Sequence, residues 1–456
     1  MQVGSLVRRI YMKTDVLIIG GGAAGVMAAV TAKRLYGDKS VTLVRPDPEG
    51  VVPCGIPYIF GTLDSARKNI MPDKPMENLG VARVIDEAVE LDVEKKVVRL
   101  KGGEAIEYDK LMIATGSGPA RLPIEGFDLE GVWVVRKSLA HLEKMREAVM
   151  AANKIVIIGG GFIGVEFADD ISLLEGKEVH VVEMLPHCLA LAFDDEFCEA
   201  GEAKMKEAGI HIHTNAKVKR IVGENRVRGV EIEGVGTIDA DMVIVSVGAR
   251  SNSELAKNAG IEVNRWGGIV VDRYMRTSAA DVYAAGDCAE KRCFFTGKVI
   301  PALLASVACA EARIGVGAFY GLCRVNENRG TLTTFTTKVR DLALGGSGLT
   351  ERRAKQEGFR TVVGVAQNVD KHPGTLPGTC PLKVKLIFSE KGVLIGGQVF
   401  GGGSVGELCN AISVAIQNGM TVDRLFSMQI GTHPFFTASP IAYPFVSAAI
   451  DAARKL

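Results

Sequence analysis

The sequence predicts an α/β protein: two Rossmann-like dinucleotide-binding units and a C-terminal α+β domain. Three observations carry this. The apolar run Val16–Ile19 leads into Gly20-Gly21-Gly22-Ala23-Ala24-Gly25, an Ala-rich helix to about Leu35, and a second apolar run, Val41–Val44, which is a β-α-β pattern. The same pattern recurs at Ile155–Ile158, Gly159-Gly160-Gly161-Phe162-Ile163-Gly164 and Val179–Val182; loops opening at positions 20 and 159 are separated by a whole domain, not by a short repeat. From about Gly330 no glycine loop recurs, and strand patterns (Leu382–Phe388, Val393–Val399) mix with a helix over Val405–Gln417, as in an α+β module.

Each glycine in such a loop has its own task. Gly20 permits the tight turn, Gly22 lets backbone approach a pyrophosphate, and Gly25 lets helix and strand pack closely; Gly159, Gly161 and Gly164 repeat the set. The phosphate sits at the positive end of the helix dipole. Glu183 follows the second loop by about 20 residues, where a carboxylate binds a ribose 2′-hydroxyl and repels a 2′-phosphate. NADH is therefore favoured over NADPH, with His187 a softening influence. The first unit departs from this rule, because Arg45 holds the corresponding place. Either Asp47 substitutes or the adenosine end is held differently. Two further strand-to-loop patterns end at Gly248 and at Gly286-Asp287.

At 456 residues the chain implies two or three domains. An apolar fraction of 47% and a net charge of +1 offer no electrostatic case for nucleic acid or an anionic membrane. No apolar run nears the ~18 residues of a membrane span. Met1–Thr14 is too broken by charge for a signal peptide and reads as a short tail, with Met12 an alternative start; a cytoplasmic location is expected. The nine cysteines are scattered and lack Cys-x-x-Cys spacing, so neither a disulfide framework nor a cysteine zinc site is expected, and no metal is assigned.

One cysteine stands apart: Cys54, in Pro53-Cys54-Gly55-Ile56-Pro57-Tyr58 after the first loop. The Ala114-Thr115-Gly116 segment resembles the link between the nucleotide domains of flavoprotein pyridine nucleotide-disulfide oxidoreductases, and Tyr283–Asp287 resembles their second FAD motif. With both glycine loops in order, the resemblance covers nearly the whole chain. The Cys54 segment is similar to the single-cysteine branch: coenzyme A disulfide reductases, coenzyme A-persulfide or polysulfide reductases, and NADH oxidases and peroxidases. The resemblance implies an interleaved order, with an FAD domain at 1–120 and 251–329, an NAD(P)H domain at 121–250 and an interface domain at 330–456 that forms a homodimer. It places FAD on Gly20, Gly22, Ala23, Ala24, Gly25, Arg45, Ala114, Thr115, Gly116, Gly286 and Asp287. NAD falls on Gly159, Gly161, Phe162, Ile163, Gly164, Glu166, Glu183 and Gly248. Glu166 matches the glutamate beside the nicotinamide, and Phe162 either gates that pocket or packs helix on sheet.

The resemblance also implies the chemistry. Only a thiolate attacks sulfur; Gly55-Ile56-Pro57 reads as a helix start, which would lower the Cys54 pKa, and flavin contact would stabilise the anion further. Glu49 occupies the position of the second cysteine of two-cysteine relatives, so the cycle runs through a mixed disulfide that reduced flavin resolves. Lys33-Arg34 and Arg67-Lys68 fall where coenzyme A-binding relatives are basic; the alternative is a solvated helix face. Leu376 replaces the tyrosine of coenzyme A disulfide reductases, and Ala24 replaces the histidine of peroxidases and oxidases. His433, in Thr432-His433-Pro434, reads as an acid that reaches the partner subunit or as packing for Phe435 and Phe436; Ala438 stands where its glutamate partner would fall. Tyr443 is an aromatic for the same pocket. No rhodanese-like segment is recognised, so a persulfide is expected from a small molecule or another protein. The leading expectation is reduction of a small disulfide, persulfide or polysulfide, with a coenzyme A thiol favoured. An NADH oxidase working through a Cys54 sulfenic acid and a non-catalytic flavin redox sensor are the alternatives; a ferredoxin-type reductase would not need Cys54.

Overall fold

The first β-α-β pattern folds as read. In the computed structural model, which describes residues 11–321 and 327–456, β1 (Tyr11–Ile19) leads through the glycine loop into α1 (Ala23–Leu35) and then β2 (Val41–Arg45). With β3 (Ala105–Ile113) and Ala82–Ile85 these build a parallel sheet in the order Ala82–Ile85, β2, β1, β3. The far side of β3 pairs antiparallel with Val97–Leu100 at its start and parallel with Val282–Ala284 at its end. Val16–Ile19 is buried on both faces, which is why the run is continuously apolar rather than alternating. The tail reading of Tyr11–Thr14 fails: the four residues pair with Ala105–Tyr108, and the ladder extends β1 toward its N-terminus.

The second unit repeats the plan. β4 (Lys154–Ile158), α2 (Phe162–Ile171), β5 (Glu178–Val182), β6 (His211–His213) and β7 (Met242–Val245) give a parallel sheet in the order Val132–Val134, β7, β4, β5, β6. Ser117–Pro119 and Ala249–Ser251, on either side of this sheet in sequence, pair antiparallel with each other. After Val282–Ala284, α3 (Ala305–Gly317) lies on α1; Ala28, Ala29 and Ala32 share a core with Ala308, Ala312 and Val316. Small side chains on both helices allow that close approach.

The last module is a five-stranded antiparallel sheet covered by Val405–Gln417 and Pro444–Ala453. It joins the second unit through Phe335, Val339 and Leu344, which share a core with Phe193 and Phe197. Across the same contact the buried Lys385 ammonium meets Asp194 and Glu196 at 3.0 and 2.8 Å, and within its own module it meets Glu351 at 2.9 Å. Burial works against that ammonium, but three carboxylates raise its pKa. Among the described residues no helix is long and apolar enough to cross a membrane.

Candidate active site

Parallel sheets leave their ligand sites at the carboxyl ends of the strands, and the expected residues gather there. Gly20, Gly22, Ala23, Ala24 and Gly25 lie between β1 and α1; Ala114, Thr115 and Gly116 follow β3; Gly286 and Asp287 follow Val282–Ala284. Gly20 has φ +117°, and a Cβ there would strike the Ala114 carbonyl; a Cβ on Gly25 would strike the Gly20 carbonyl. Only glycine lets loop, strand and helix come that close. Gly22 and Gly161, by contrast, meet nothing within 4 Å. Each leaves open backbone at the start of a full-length helix, which fits a dinucleotide pyrophosphate in both clefts.

Beneath Gly286 lies a buried clamp that sequence reasoning missed. The Glu311 carboxylate accepts from the Gly286 N–H at 2.9 Å, and Lys291 donates to the Gly286 carbonyl at 2.5 Å. The two charges pair at 3.0 Å with both side chains nearly inaccessible. The signal was present: Glu311 is an acid on the apolar helix α3, on its buried face. Asp287 meets Lys137 at 3.0 Å and accepts from Ser117 at 2.7 Å. Burial opposes its ionisation, yet Lys137 and Ser117 hold it below the usual carboxylate range.

The Arg45 guanidinium is paired within the protein. It is buried and grips Asp73 through Nη1 at 2.8 Å and Nη2 at 2.6 Å, while Nη2 also donates to the Pro48 carbonyl. The aliphatic stem of Arg45 packs over Gly21. Asp47 accepts from Ser138 at 2.9 Å, so the acid that comes to this corner is Asp73, shared with Arg83.

Cys54 is exposed at the cleft, on a short 3-10 turn over Pro53–Ile59. This corrects the expected helix start: with Pro57 inside it, the segment makes a tight turn and no helix long enough to carry a useful dipole. The turn is held from two sides. Asn69, buried, donates to the Val52 carbonyl at 3.0 Å and occupies the space any side chain at Gly55 would need. Asp170 of α2 accepts from the N–H groups of Phe60, Gly61 and Thr62 at 3.1, 2.8 and 2.9 Å, so the second unit fixes the end of the cysteine loop. Burial by the surrounding chain and the Glu166 charge push the Cys54 thiol up, while Lys137 pulls it down. The expectation that protein alone lowers this pKa is therefore reversed, and Lys137 is the cation that favours the anion.

The second cleft gathers Gly159, Gly161, Phe162, Ile163 and Gly164 between β4 and α2, Glu183 after β5 and Gly248 after β7. Glu183 accepts from the Gly160 N–H at 2.7 Å and the Leu185 N–H at 2.8 Å, so it shapes the loop as well as its charge. His187 faces Glu202 at 3.4 Å. Phe162 lies against Phe335, with ring centres 4.8 Å apart, as packing would require. Glu166 is buried, and the Thr337 hydroxyl donates to it at 2.7 Å. Burial pushes its carboxyl up to about 7, against that hydrogen bond. A carboxyl raised from 4.5 to about 7 holds its proton in the folded chain while the unfolded chain releases it. Stability is then lost as pH rises through that interval. Glu166→Gln is expected to flatten this slope by at most about 3 kcal/mol, read as melting midpoints of the two proteins at pH 5 and pH 8.

Most of the basic residues have partners within the protein. Lys33 donates to the carbonyls of Gly37 and Lys39 at 3.0 Å each, closing the end of α1. Arg34 is exposed there, beside Pro72 and Lys74. Arg67 pairs with Glu143 and Lys68 with Asp64 on a turn that packs against the cysteine segment. His433 is exposed and stacked on Phe436 with centres 4.7 Å apart, and Tyr443 packs on the core of the last module. The eight cysteines among the described residues are free; Cys323 lies outside them.

Comparison with known proteins agrees with this geometry. The family model described as pyridine nucleotide-disulphide oxidoreductase matches residues 14–312, and the dimerisation-domain model of that family matches 334–441. An NADH oxidase of Methanocaldococcus jannaschii is 33% identical over 96% of this chain and 99% of its own. The NAD(P)H coenzyme A polysulfide/persulfide reductase of Pyrococcus horikoshii is 32% identical over 95% and 97%. The structure of an NAD-dependent persulfide reductase from A. fulgidus superposes with a TM-score of 0.87 at 33% identity, covering 97% of this chain and 83% of that one.

Proposed function

Because the chain belongs to the pyridine nucleotide-disulphide oxidoreductase family, we propose that it is an FAD-dependent NAD(P)H oxidoreductase that reduces a small disulfide, persulfide or polysulfide through Cys54. The observation that supports this most is the placement of Cys54: an exposed thiol on a turn braced by Asn69 from one unit and Asp170 from the other. The loops of Gly20–Gly25 and Gly286-Asp287 would hold FAD, which when bound would supply the two-electron relay between NAD(P)H and sulfur.

The chain's own residues do the rest. Cys54 as thiolate attacks R–S–S–R or R–S–S–H, forming Cys54–S–S–R and releasing RS⁻ or HS⁻. Lys137, which favours the anion, and Asp287, which holds Lys137, set the thiolate fraction. Glu166, with a carboxyl raised to about 7, acts on Cys54 through its charge and opposes the thiolate when ionised. Glu183 supports a preference for NADH over NADPH. In this reading the FAD module is 1–120 with 251–329, the NAD(P)H module 121–250 and the interface module 330–456. A homodimer is supported by the dimerisation-domain match and by side chains left open on that module, Phe436 at 72% and Ile441 at 96% exposure. His433, beside Phe436, is then placed at the partner's site.

Coenzyme A is the favoured thiol, supported by relatives named for it. Mass spectrometry of the intact, unreduced protein tests this: an adduct of coenzyme A mass, removed by a reductant and missing from Cys54→Ser, is expected. An unmodified Cys54 together with fast NADH-dependent oxygen uptake in the absence of any thiol would favour the second reading, an NADH oxidase, which the M. jannaschii relative's name supports.

A further inference from the structure

Outside the site, four ligand-type side chains meet at one edge of the second sheet. Glu178 and His180 stand two residues apart on β5, and His211 and His213 two apart on β6. Alternation puts each pair on one face of its strand. The register sets His180 opposite His211 and Val182 opposite His213. The His180 ring stacks on His211 with centres 4.6 Å apart and lies 5.4 Å from His213. Donor atoms of Glu178, His180 and His211 all fall within 4.8 Å of one another.

We propose that Glu178, His180 and His211 bind a divalent zinc-class cation, with water completing a tetrahedron. Two imidazoles and a carboxylate with an open position are a common ligand set for that ion. The hydrogen bonding around His180 fits. Its Nε2 faces Glu178 Oε1 at 2.9 Å, and its Nδ1 faces His213 Nε2 at 3.1 Å. A metal on Nε2 displaces the proton now shared with Glu178, and Nδ1 then carries an N–H donated to His213. A ligating histidine usually has such an acceptor on its other nitrogen, and the acceptor orients the ring. His180 is buried and held from both sides. Glu178 and His211 are open enough to turn toward an ion from solvent, and His211 must swing its ring out of the stack to do so. The cysteine spacing that spoke against zinc leaves this histidine set untouched.

The cation would tie the three-residue edge strand β6 to β5. It would do so next to Glu183, whose N–H donates to the His213 carbonyl at 2.8 Å. The test uses tag-free, flavin-loaded protein carrying Cys54→Ser, titrated with Zn²⁺ against a chromophoric chelator, with the melting temperature as a second readout. About one equivalent is expected to bind, with a rise in melting temperature. His211→Ala and Glu178→Ala should lose the tight equivalent and the rise. His213→Ala should weaken binding by roughly 10- to 100-fold, as loss of an orienting partner does. His211 reaches the surface, so flavin content and the metal-free melting temperature of His211→Ala should match the parent; Glu178→Ala should keep its flavin content but melt somewhat lower without metal, because it takes the acceptor from His180 Nε2. No binding at micromolar Zn²⁺, or equal stoichiometry and affinity in parent and His211→Ala, would overturn the proposal.

Discussion

Cys54→Ser is expected to lower NAD(P)H-dependent reduction of a disulfide or persulfide by on the order of a thousandfold or more, the scale on which loss of a catalytic nucleophile acts. The yellow holoprotein should survive unchanged. The two halves of this expectation have separate physical origins. Serine keeps the size of the side chain and the exposed turn over Pro53–Ile59, and the braces from Asn69 and Asp170 reach backbone groups, not the thiol. Flavin retention therefore stays. What is lost is the sulfur anion, since a hydroxyl at neutral pH neither attacks a disulfide nor forms one. Steady-state turnover and the flavin absorbance of the purified protein check both halves.

Lys291→Met should act through stability and flavin content together. Lys291 and Glu311 hold the carbonyl and the N–H of Gly286 from below. Removing the ammonium leaves a buried carboxylate with the Gly286 N–H and no cation, and breaking such a pair costs about 3–5 kcal/mol. Protonation of Glu311 softens the loss, because burial already raises its pKa against the pull of Lys291. The flavin loop then loses its support, and the variant is expected to purify with much less FAD and a lower melting temperature. Adding Glu311→Gln removes the stranded charge and keeps an acceptor for the Gly286 N–H, so part of the melting temperature should return. A single variant as stable and as yellow as the parent would show that the clamp is not needed.

Local pattern carried the sequence reading wherever structure is local. The helix from Ala23 to Leu35 and the helix Val405–Gln417 were legible from glycine turns and apolar spacing, as were the strands that frame both loops. What escaped depends on distant partners. Tyr11–Thr14 looked like a tail because the strand that pairs with it, Ala105–Tyr108, lies far along the chain. Arg45 looked like a missing acid because Asp73, which answers it, sits on another segment. The bracing of Cys54 by Asn69 and Asp170 is tertiary in the same way. Three acids in the apolar helix Phe162–Ile171, Glu166, Asp169 and Asp170, are a visible hint, since buried charges need partners. The upward push on the Cys54 thiol is not legible in the sequence, because its main cause is burial by segments distant in sequence, joined by the Glu166 charge from the second unit, and because the short proline-containing turn replaces a helix start.

The measurement that bears most directly on the redox role of Cys54 is an anaerobic titration of the purified holoenzyme, carrying its sulfur adduct, with NADH. Flavin and Cys54 together should take up about two equivalents per subunit, and Cys54→Ser about one. Equal uptake of about one equivalent by both proteins would show that electrons stop at the flavin and that this cysteine is not part of their path.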